Sequence, residues 1–211
     1  MQQGRRHARS DVVDKATQLL DDYGIADLTM RRLARELGVT PGALYWHFAD
    51  KQALLGAVAD RILEPALADV PPAGWAVRIH AICAGLRNAL LSATDGAELV
   101  SASFAAGKSE RMADILERLV IAAGDAGIDS PNADLAARTV LYYVLGFTAD
   151  EQSRLQWDAA GALSDDQSVM TTNPNARFTF GVRLLVDGIA SPRTGSSRDH
   201  GVDLGIAIPP A

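Results

Sequence analysis

Residues 37–48 read Leu37-Gly38-Val39-Thr40-Pro41-Gly42-Ala43-Leu44-Tyr45-Trp46-His47-Phe48, and two signals inside that stretch decide the fold. Gly38 suits the left-handed residue that ends a helix. Thr40-Pro41 marks a start, because the threonine can cap and a proline's missing N–H would go unbonded in a first turn anyway. One helix therefore stops and another starts within three residues, the tight connection of a helix-turn-helix. Upstream, Met30, Leu33, Ala34 and Leu37 follow Thr29 at helical spacing and predict a short second helix. Before that, Val12, Val13, Ala16, Leu19, Leu20 and Tyr23 form the stripe of an amphipathic helix, with Ser10 as its cap and Gly24 as its stop. Together these make a three-helix head.

Downstream, Asp50 caps a fourth helix that runs through Leu55, Val58 and Ile62, weakens at Pro65 and ends at Pro71-Pro72. From there to about residue 190, every periodic segment is helical, at 75–92, 96–105, 108–126, 132–154 and 174–190, and no strand-like alternation of convincing length occurs. The expected fold is all-α, with a helix-turn-helix head followed by a helical body. Breaks fall at Asp95-Gly96, at Gly127 to Pro131, and across 159–173, a polar loop long enough to read as a lid or gate. Residues 1–9 read as a basic arm carrying Arg5, Arg6 and Arg9, and 191–211 as a flexible tail.

With 48% hydrophobic and 22% charged residues in 211, the chain has enough apolar content for a packed core, which excludes disorder throughout. No apolar run approaches the roughly 20 residues needed to cross a bilayer, and no apolar segment follows the N-terminal arginines. The expectation is a cytoplasmic protein with no membrane partner. One cysteine, Cys83, and four scattered histidines offer neither a disulfide nor a zinc spacing, so no metal or cofactor is expected. The net charge of -6 is unevenly spread: residues 1–51 hold eight Lys or Arg against seven Asp or Glu, and the excess acid lies in the remainder. A near-neutral head with clustered arginines on an acidic body can meet phosphate with the head while the body is repelled.

Leu37-Gly38-Val39, Leu44-Tyr45-Trp46-His47-Phe48 and Lys51-Gln52-Ala53-Leu54-Leu55 resemble, in order and spacing, the helix-turn-helix signature of the tetracycline repressor (TetR) family. In the body, Ala89-Leu90-Leu91-Ser92 with Asp95-Gly96-Ala97, then Gly146-Phe147-Thr148, Phe178, Phe180-Gly181 and Leu184 resemble that family's tetracycline-repressor class of C-terminal domain. The resemblance runs from about residue 10 to 190. It implies a homodimeric, ligand-responsive transcriptional repressor. A DNA-binding domain over 10–55 would bind a palindromic double-stranded operator. An effector-binding and dimerisation domain over 56–190 would take a small molecule that releases the DNA.

In a helix-turn-helix the second helix enters the major groove and its first residues meet base edges. Here those are Thr40, Pro41, Gly42, Ala43, Tyr45, Trp46 and His47, none of which is a bidentate base reader of the Arg, Gln or Asn type. Leu44 and Phe48, four apart, form the buried side, leaving thymine-methyl contacts and phosphate hydrogen bonds to the rest. A bidentate reader can come from the preceding helix. Arg31 occupies the position that, by resemblance, reaches a guanine, while Arg32 can pair with Glu36 at i+4. The plainer alternative is that Arg31, Arg32 and Arg35 only grip phosphate or stay solvated. Lys51, opening the fourth helix, can meet a phosphate together with the adjoining N–H groups. With Thr29, these residues make up the expected DNA-facing set.

Thr139 to Phe147 is apolar nearly all the way round, so that helix must be covered on both sides. With Phe180, Gly181, Leu184, Leu185 and Gly188 on the last helix, it suits a two-fold four-helix interface. In the tetracycline-repressor class, the resemblance implies a magnesium–drug chelate held by histidines, an asparagine and a phenylalanine. The aligned positions here are Leu67, Ile82, Leu86, Val100 and Tyr142, with Asp150 the one acidic partner kept. No histidine lies between His80 and His200. An apolar cavity without imidazoles suits a flatter or more lipophilic effector, with Asp150, Tyr142 and Ser103 as polar anchors.

The rival classes are a helical enzyme and a small-molecule binding protein that does not touch DNA. The best enzymatic pair, His80 and Cys83, lacks an orienting Asn or Asp nearby, and Cys83 sits among Ile79, Ile82 and Leu86 as an inert buried thiol would. Asp150 and Glu151 are adjacent and so face different directions on a helix; one of them is a candidate for the effector cavity. The chain is therefore expected not to be an enzyme.

Overall fold

The computed structural model describes residues 8–68, 70–162 and 173–191. Among them there are nine α-helices and no strand. The first, α1 (Arg9–Asp27), opens one residue before the expected cap Ser10: the Ala8 N–H donates to Asp11 Oδ2 at 2.9 Å, so the aspartate side chain supplies the N-terminal bond. Gly24, expected to stop this helix, breaks its path with φ 76° and ψ 174°, and a last turn continues to Asp27. The second helix, α2 (Met30–Leu37), begins with the Arg32 N–H donating to Thr29 Oγ1 at 3.1 Å and ends at Gly38 with φ 67°, as its sequence signals predict.

The third helix is shorter than expected. α3 spans only Pro41–Leu44, and Tyr45 to His47 continue as a turn. Thr40 makes no side-chain cap bond. Two strong local signals hem α3 in: Gly42 is a poor helix former, and Asp50 starts the next helix by accepting the Ala53 N–H at 2.7 Å. That next helix is α4 (Lys51–Ile62), followed by a 3-10 turn over Glu64–Leu67 at Pro65.

The body comprises α5 (Trp75–Leu91), α6 (Gly96–Ala105), α7 (Glu110–Asp125), α8 (Ser130–Ala159) and α9 (Pro174–Ala190). α8 packs on α5, α6, α7 and α9, and α5 packs on α6, α7 and α9, so these two helices carry the middle of the body. α8 is longer than the 132–154 expected: Pro131 fits its first turn and Gly161, with φ 68°, follows its end. The expected lid therefore starts later than residue 159, and its residues 163–172 lie outside the described residues, as do the tail beyond 191 and Arg5 and Arg6 of the arm. Asn173 caps α9 by accepting the Ala176 N–H at 3.0 Å.

One continuous apolar core runs from Val12 and Leu20 of α1 through Leu54 and Val58 of α4 to Leu90, Leu141 and Val182 of the body. Inside it lies a polar exception. Arg87 of α5, 7% exposed, and Glu151 of α8, 6% exposed, form a bidentate pair, Nε to Oε2 at 2.7 Å and Nη2 to Oε1 at 2.5 Å. Arg87 Nη1 also donates to Asn175 Oδ1 at 2.8 Å, and its guanidinium lies 5.0 Å from the Phe178 ring centre. One arginine thus joins α5, α8 and the first turn of α9. Nearby, a Cβ at Gly181 would overlap the Tyr143 side chain, whose hydroxyl donates to the Phe178 carbonyl at 3.0 Å, so the glycine permits this close approach of α8 and α9.

Arg87→Ala leaves the Glu151 carboxylate buried and alone, which typically costs about 3–5 kcal/mol. Replacing both partners, Arg87→Met with Glu151→Leu, should recover most of that loss in urea denaturation. A single-variant cost under about 1 kcal/mol, the range of exposed pairs, would show that the pair is solvated.

Candidate nucleic-acid interface and body cavities

The helix-turn-helix presents one face built from the expected residues. Thr29, Arg31, Thr40, Pro41, Gly42, Tyr45 and Trp46 are exposed, while Arg32, Ala43, His47 and Lys51 are half-buried. Trp46, at 90% exposure, stands out from the surface, whereas Leu44 and Phe48 on the opposite side are buried to 1% and 2%. An indole left in water beside an exposed tyrosine costs solvation and contributes nothing to the protomer's own packing, so this is a face shaped for contact.

The three arginines of α2 have separate fates. Arg32 does not pair with Glu36. Its Nη1 donates to Asp27 Oδ1 at 2.8 Å and its guanidinium lies 3.6 Å from the centre of the Tyr23 ring. The corner at Leu28 and Thr29 folds α2 back on α1 and brings Asp27 and Tyr23 beside Arg32, a proximity that i+4 counting along α2 alone does not contain. Glu36 lies instead 3.9 Å from Arg35. Arg31 is exposed and has no ion pair among the described residues, which leaves its five donors available.

Lys51 opens α4. Asp50 Oδ1 takes the Ala53 N–H, so of the adjoining donors only those of Lys51 and Gln52 lack a protein acceptor among the described residues. Arg9, expected as part of a flexible arm, begins α1 instead and lies 4.7 Å over the Phe48 ring, which links the start of the chain to the turn after α3.

In the body the expected effector residues fall into two groups. Ile82, Leu86, Val100 and Ser103 are buried on α5 and α6, with Leu67 half-buried in the 3-10 turn that packs on α5. Ser103 Oγ is buried and has no hydrogen-bond partner among the described residues. Tyr142 faces outward at 57% exposure and lines an open pocket of about 470 Å³ with Ser101, Phe104, Ala105, Arg138 and Leu145. Asp150 is exposed and pairs with Arg154 at 2.9 Å; the inward carboxylate is its neighbour Glu151. Ile82, Leu86, Val100 and Ser103 thus lie on the buried sides of two packed helices, Tyr142 lines an outer pocket against Ser101 and Phe104 of α6, and Asp150 lies in neither place. Arg87 and Asn175 were not singled out by sequence reasoning, and Glu151 only as one of an adjacent pair with Asp150; the interruption of an apolar stripe by Arg87 is the one signal that could have drawn attention to the cluster.

Burial pushes the Cys83 thiol up to about 12. Tyr143 is raised as well, by burial first and by Cys83 second, with Arg87 acting in the opposite sense. Among the described residues no group of three or more His, Cys, Asp or Glu could hold a metal ion, and no helix is long and apolar enough to cross a membrane. Leu135 and Tyr142 of α8 and Phe180 and Leu184 of α9 are more than half exposed, forming an apolar stripe on the two helices that the sequence assigned to a two-fold interface.

Residues 12–58 match the model of bacterial regulatory proteins of the tetR family, and residues 68–167 match that of the tetracyclin repressor-like C-terminal domain. The tetracycline repressor protein class C of Escherichia coli is 31% identical over 85% of this chain and 82% of its own. The crystal structure of Mycobacterium smegmatis BioQ superposes with a TM-score of 0.82 at 61% identity, covering 87% of this chain and 98% of that one. A structure of BioQ with its double-stranded DNA operator superposes with a TM-score of 0.77 at 57% identity, covering 88% and 99%. With an exposed helix-turn-helix face, an all-helical body and likeness across both parts, the chain belongs to the tetR family of bacterial regulatory proteins.

Proposed function

We propose that this chain is a cytoplasmic, homodimeric repressor that binds a palindromic operator through residues 10–55 and is released by a small molecule bound within 56–190. The observation that carries the reading is the face of α2 and α3, where exposed Trp46, Tyr45, Thr40 and Arg31, the last without an ion pair among the described residues, surround a helix-turn-helix whose Leu44 and Phe48 are buried. The structure of BioQ with its operator supports it, being a similar chain bound to double-stranded DNA. Arg31 reads a base, Thr29, Pro41, Gly42, Ala43 and His47 lie against the duplex, Arg32 braces α2 against α1, and Lys51 holds a phosphate. Two heads related by a two-fold axis require half-sites about one helical turn apart.

The effector sits against Ile82, Leu86, Val100 and Leu67, with Ser103 as its buried polar anchor and Tyr142 at the rim. Ser103 supports this because its hydroxyl is buried without a partner among the described residues, a cost of about 1–3 kcal/mol that a ligand acceptor would offset. Asp150, exposed and paired with Arg154, is the least suited of the expected anchors. A relative named as a tetracycline repressor does not carry that ligand over, because this lining holds no imidazole for a hard cation and its chelate.

An enzymatic role for Cys83 is the weaker reading. A thiol raised to about 12 is neutral at physiological pH, and only the thiolate attacks. The native thiol should therefore stay unreactive toward a disulfide reagent at pH 8 and release one equivalent on denaturation; fast reaction of the folded protein would reopen the enzyme reading. The sign also bears on stability. Folding holds this acid in its protonated form, so the contribution is complete below the unfolded value and is lost as pH rises toward about 12.

Binding of the purified dimer to duplexes selected from random sequence should weaken steeply between two salt concentrations. Arg31→Ala should lose roughly 1–3 kcal/mol on the preferred site and relax one base position, whereas Lys51→Ala should weaken all sequences alike and lower the salt slope by about one. An unchanged consensus from the Arg31 variant would remove it as a base reader. Fluorescence titration with tetracycline at millimolar magnesium should give no magnesium-dependent binding and no release of DNA. Submicromolar, magnesium-dependent release would overturn the effector assignment.

A further inference from the structure

The head is tied to α6 at both of that helix's ends. At the N-terminal end, Thr94 N–H donates to Asp21 Oδ1 at 3.0 Å and Ile25 N–H donates to Asp95 Oδ2 at 2.9 Å, so the end of α1 is held by the corner before α6. That corner is fixed to α8, since Gln156 Nε2 donates to Asp95 Oδ1 at 2.7 Å and Gln152 Nε2 donates to the Ala93 carbonyl at 2.8 Å. Asp95 itself has φ 53°, a strained value for a non-glycine residue, and these bonds hold it there.

At the C-terminal end of α6 the chain turns through Gly107, and the Lys108 carbonyl lies so close to α4 that a Cβ at Gly56 would overlap it. One turn further along α4, Asp60 receives three bonds from the start of α7. Ser109 Oγ donates to Oδ1 at 2.7 Å, Arg111 N–H to Oδ1 at 3.1 Å and Glu110 N–H to Oδ2 at 3.4 Å. Ser109 Oγ in turn accepts the Met112 N–H at 3.2 Å. A carboxylate from α4 therefore closes the N-terminal donors of α7, where the helix field favours a negative charge. Beside this joint lies an open cleft of about 410 Å³, lined by Arg9, Ala57, Asp60, Glu64, Lys108 and Arg111 among others. On that side solvent, not packed side chains, adjoins the contact, so the hydrogen bonds carry the restraint.

We propose that the joint of Asp60 with Ser109 and the start of α7 sets the angle of the head on the body, and so the half-site separation that the two heads of a dimer can span. The proposal rests on the dimeric operator-binding reading above. Asp60 is a positioning residue that never touches DNA. Its leverage follows from length. From Asp60 to Lys51 along α4 is roughly 14 Å, so a tilt of about 15° at Asp60 moves Lys51 by roughly 3.6 Å, about the rise of one base pair. With the joint intact the α1 corner and α4 are both fixed and the tilt is suppressed; without it, the Asp95 corner and the apolar packing of α4 on α6 remain, and packing alone resists a tilt less than directional bonds do.

The test takes a duplex selected by the wild-type protein and versions with one central base pair inserted or deleted. Wild type should bind the selected spacing best, and Asp60→Ala should narrow its preference over the altered spacings by about 3- to 30-fold, the usual range for residues that couple distant parts. Asp60→Asn, which keeps an acceptor for Ser109, should fall between them, and Ser109→Ala should follow Asp60→Ala. A second readout needs no DNA: spin labels at Gln18→Cys in both protomers, with buried Cys83 unlabelled, should give a broader head-to-head distance distribution in Asp60→Ala than in the otherwise wild-type dimer. If Asp60→Ala does not fold, the Asp60→Asn and Ser109→Ala variants decide on the same two readouts. Variants that lower Tm yet keep the wild-type spacing profile and distance width overturn the proposal. Failure of the wild type to select any duplex overturns the repressor reading first, and this inference with it.

Discussion

A single turn of helix has no stability of its own in water, because closing one hydrogen-bonded loop fixes several dihedral angles for little return. α3 is such a turn, and it holds its shape because Leu44 and Phe48 are buried, α3 packs on α2, and Arg9 of α1 lies over the Phe48 ring. That burial orients everything that follows from it. With Leu44 and Phe48 inward, Tyr45 and Trp46 must point outward, and Thr40 and Pro41 come to the leading edge. The recognition surface is thus the reverse side of a core contact, and its shape depends on α1 and α2 as much as on α3. Arg32 adds to this, since its pairing with Asp27 and its stacking on Tyr23 fasten α2 to the end of α1.

The same economy governs the join between head and body. Close helix approach at Gly56, at Gly85 against the Ala66 carbonyl, and at Gly96 against the Leu90 carbonyl brings backbone to backbone. Any larger residue at these points would move a main-chain segment, not merely a side chain. Two of these contacts, Gly56 of α4 with the Lys108 carbonyl and Gly96 with the Leu90 carbonyl, lie at opposite ends of α6. The polar bonds of Asp60 and Asp95 then fix angle where glycine has fixed distance. Directional bonds suit that task, because apolar packing alone tolerates sliding.

What could be read from the sequence follows from how local each signal is. Gly38, Thr29 and Asp50 act on neighbours within four residues, so the boundaries of α2 and the start of α4 were legible. The shortness of α3 was not, because it results from competition between Gly42 and the cap of the next helix. The last turns of α8 escaped notice for a different reason: Ser153, Arg154 and Gln156 are exposed and show no apolar stripe, and the helix persists because Gln152 and Gln156 bond to the corner before α6. Arg32 and Arg87 mark the limit of counting along a helix. Their partners, Asp27 and Glu151, lie across a corner and 64 positions away, and tertiary structure alone selects them. Of the expected effector residues, Ile82, Leu86 and Val100 were assigned by resemblance, and their burial follows from their place on apolar helix faces, whereas Tyr142, assigned in the same way, faces outward. Asp150 and Glu151 were separable only as a pair facing apart, without knowing which faced inward.

Under the repressor reading, a ligand releases DNA only by favouring one arrangement of the heads over the other, since equal affinity for both shifts nothing. α6 is where such a preference can be exerted. It contributes Val100 and Ser103 to the buried side of the body, and its two ends hold α1 and α4. Ser103 has a further connection, because its backbone carbonyl accepts the Lys108 N–H at 2.9 Å in the turn that leads to the Gly56 contact. A molecule that gave the Ser103 hydroxyl a partner would act within two turns of Lys108 and Ser109, which contact α4. Occupancy and head angle are then linked by position along one short helix, and no longer pathway through the body is required.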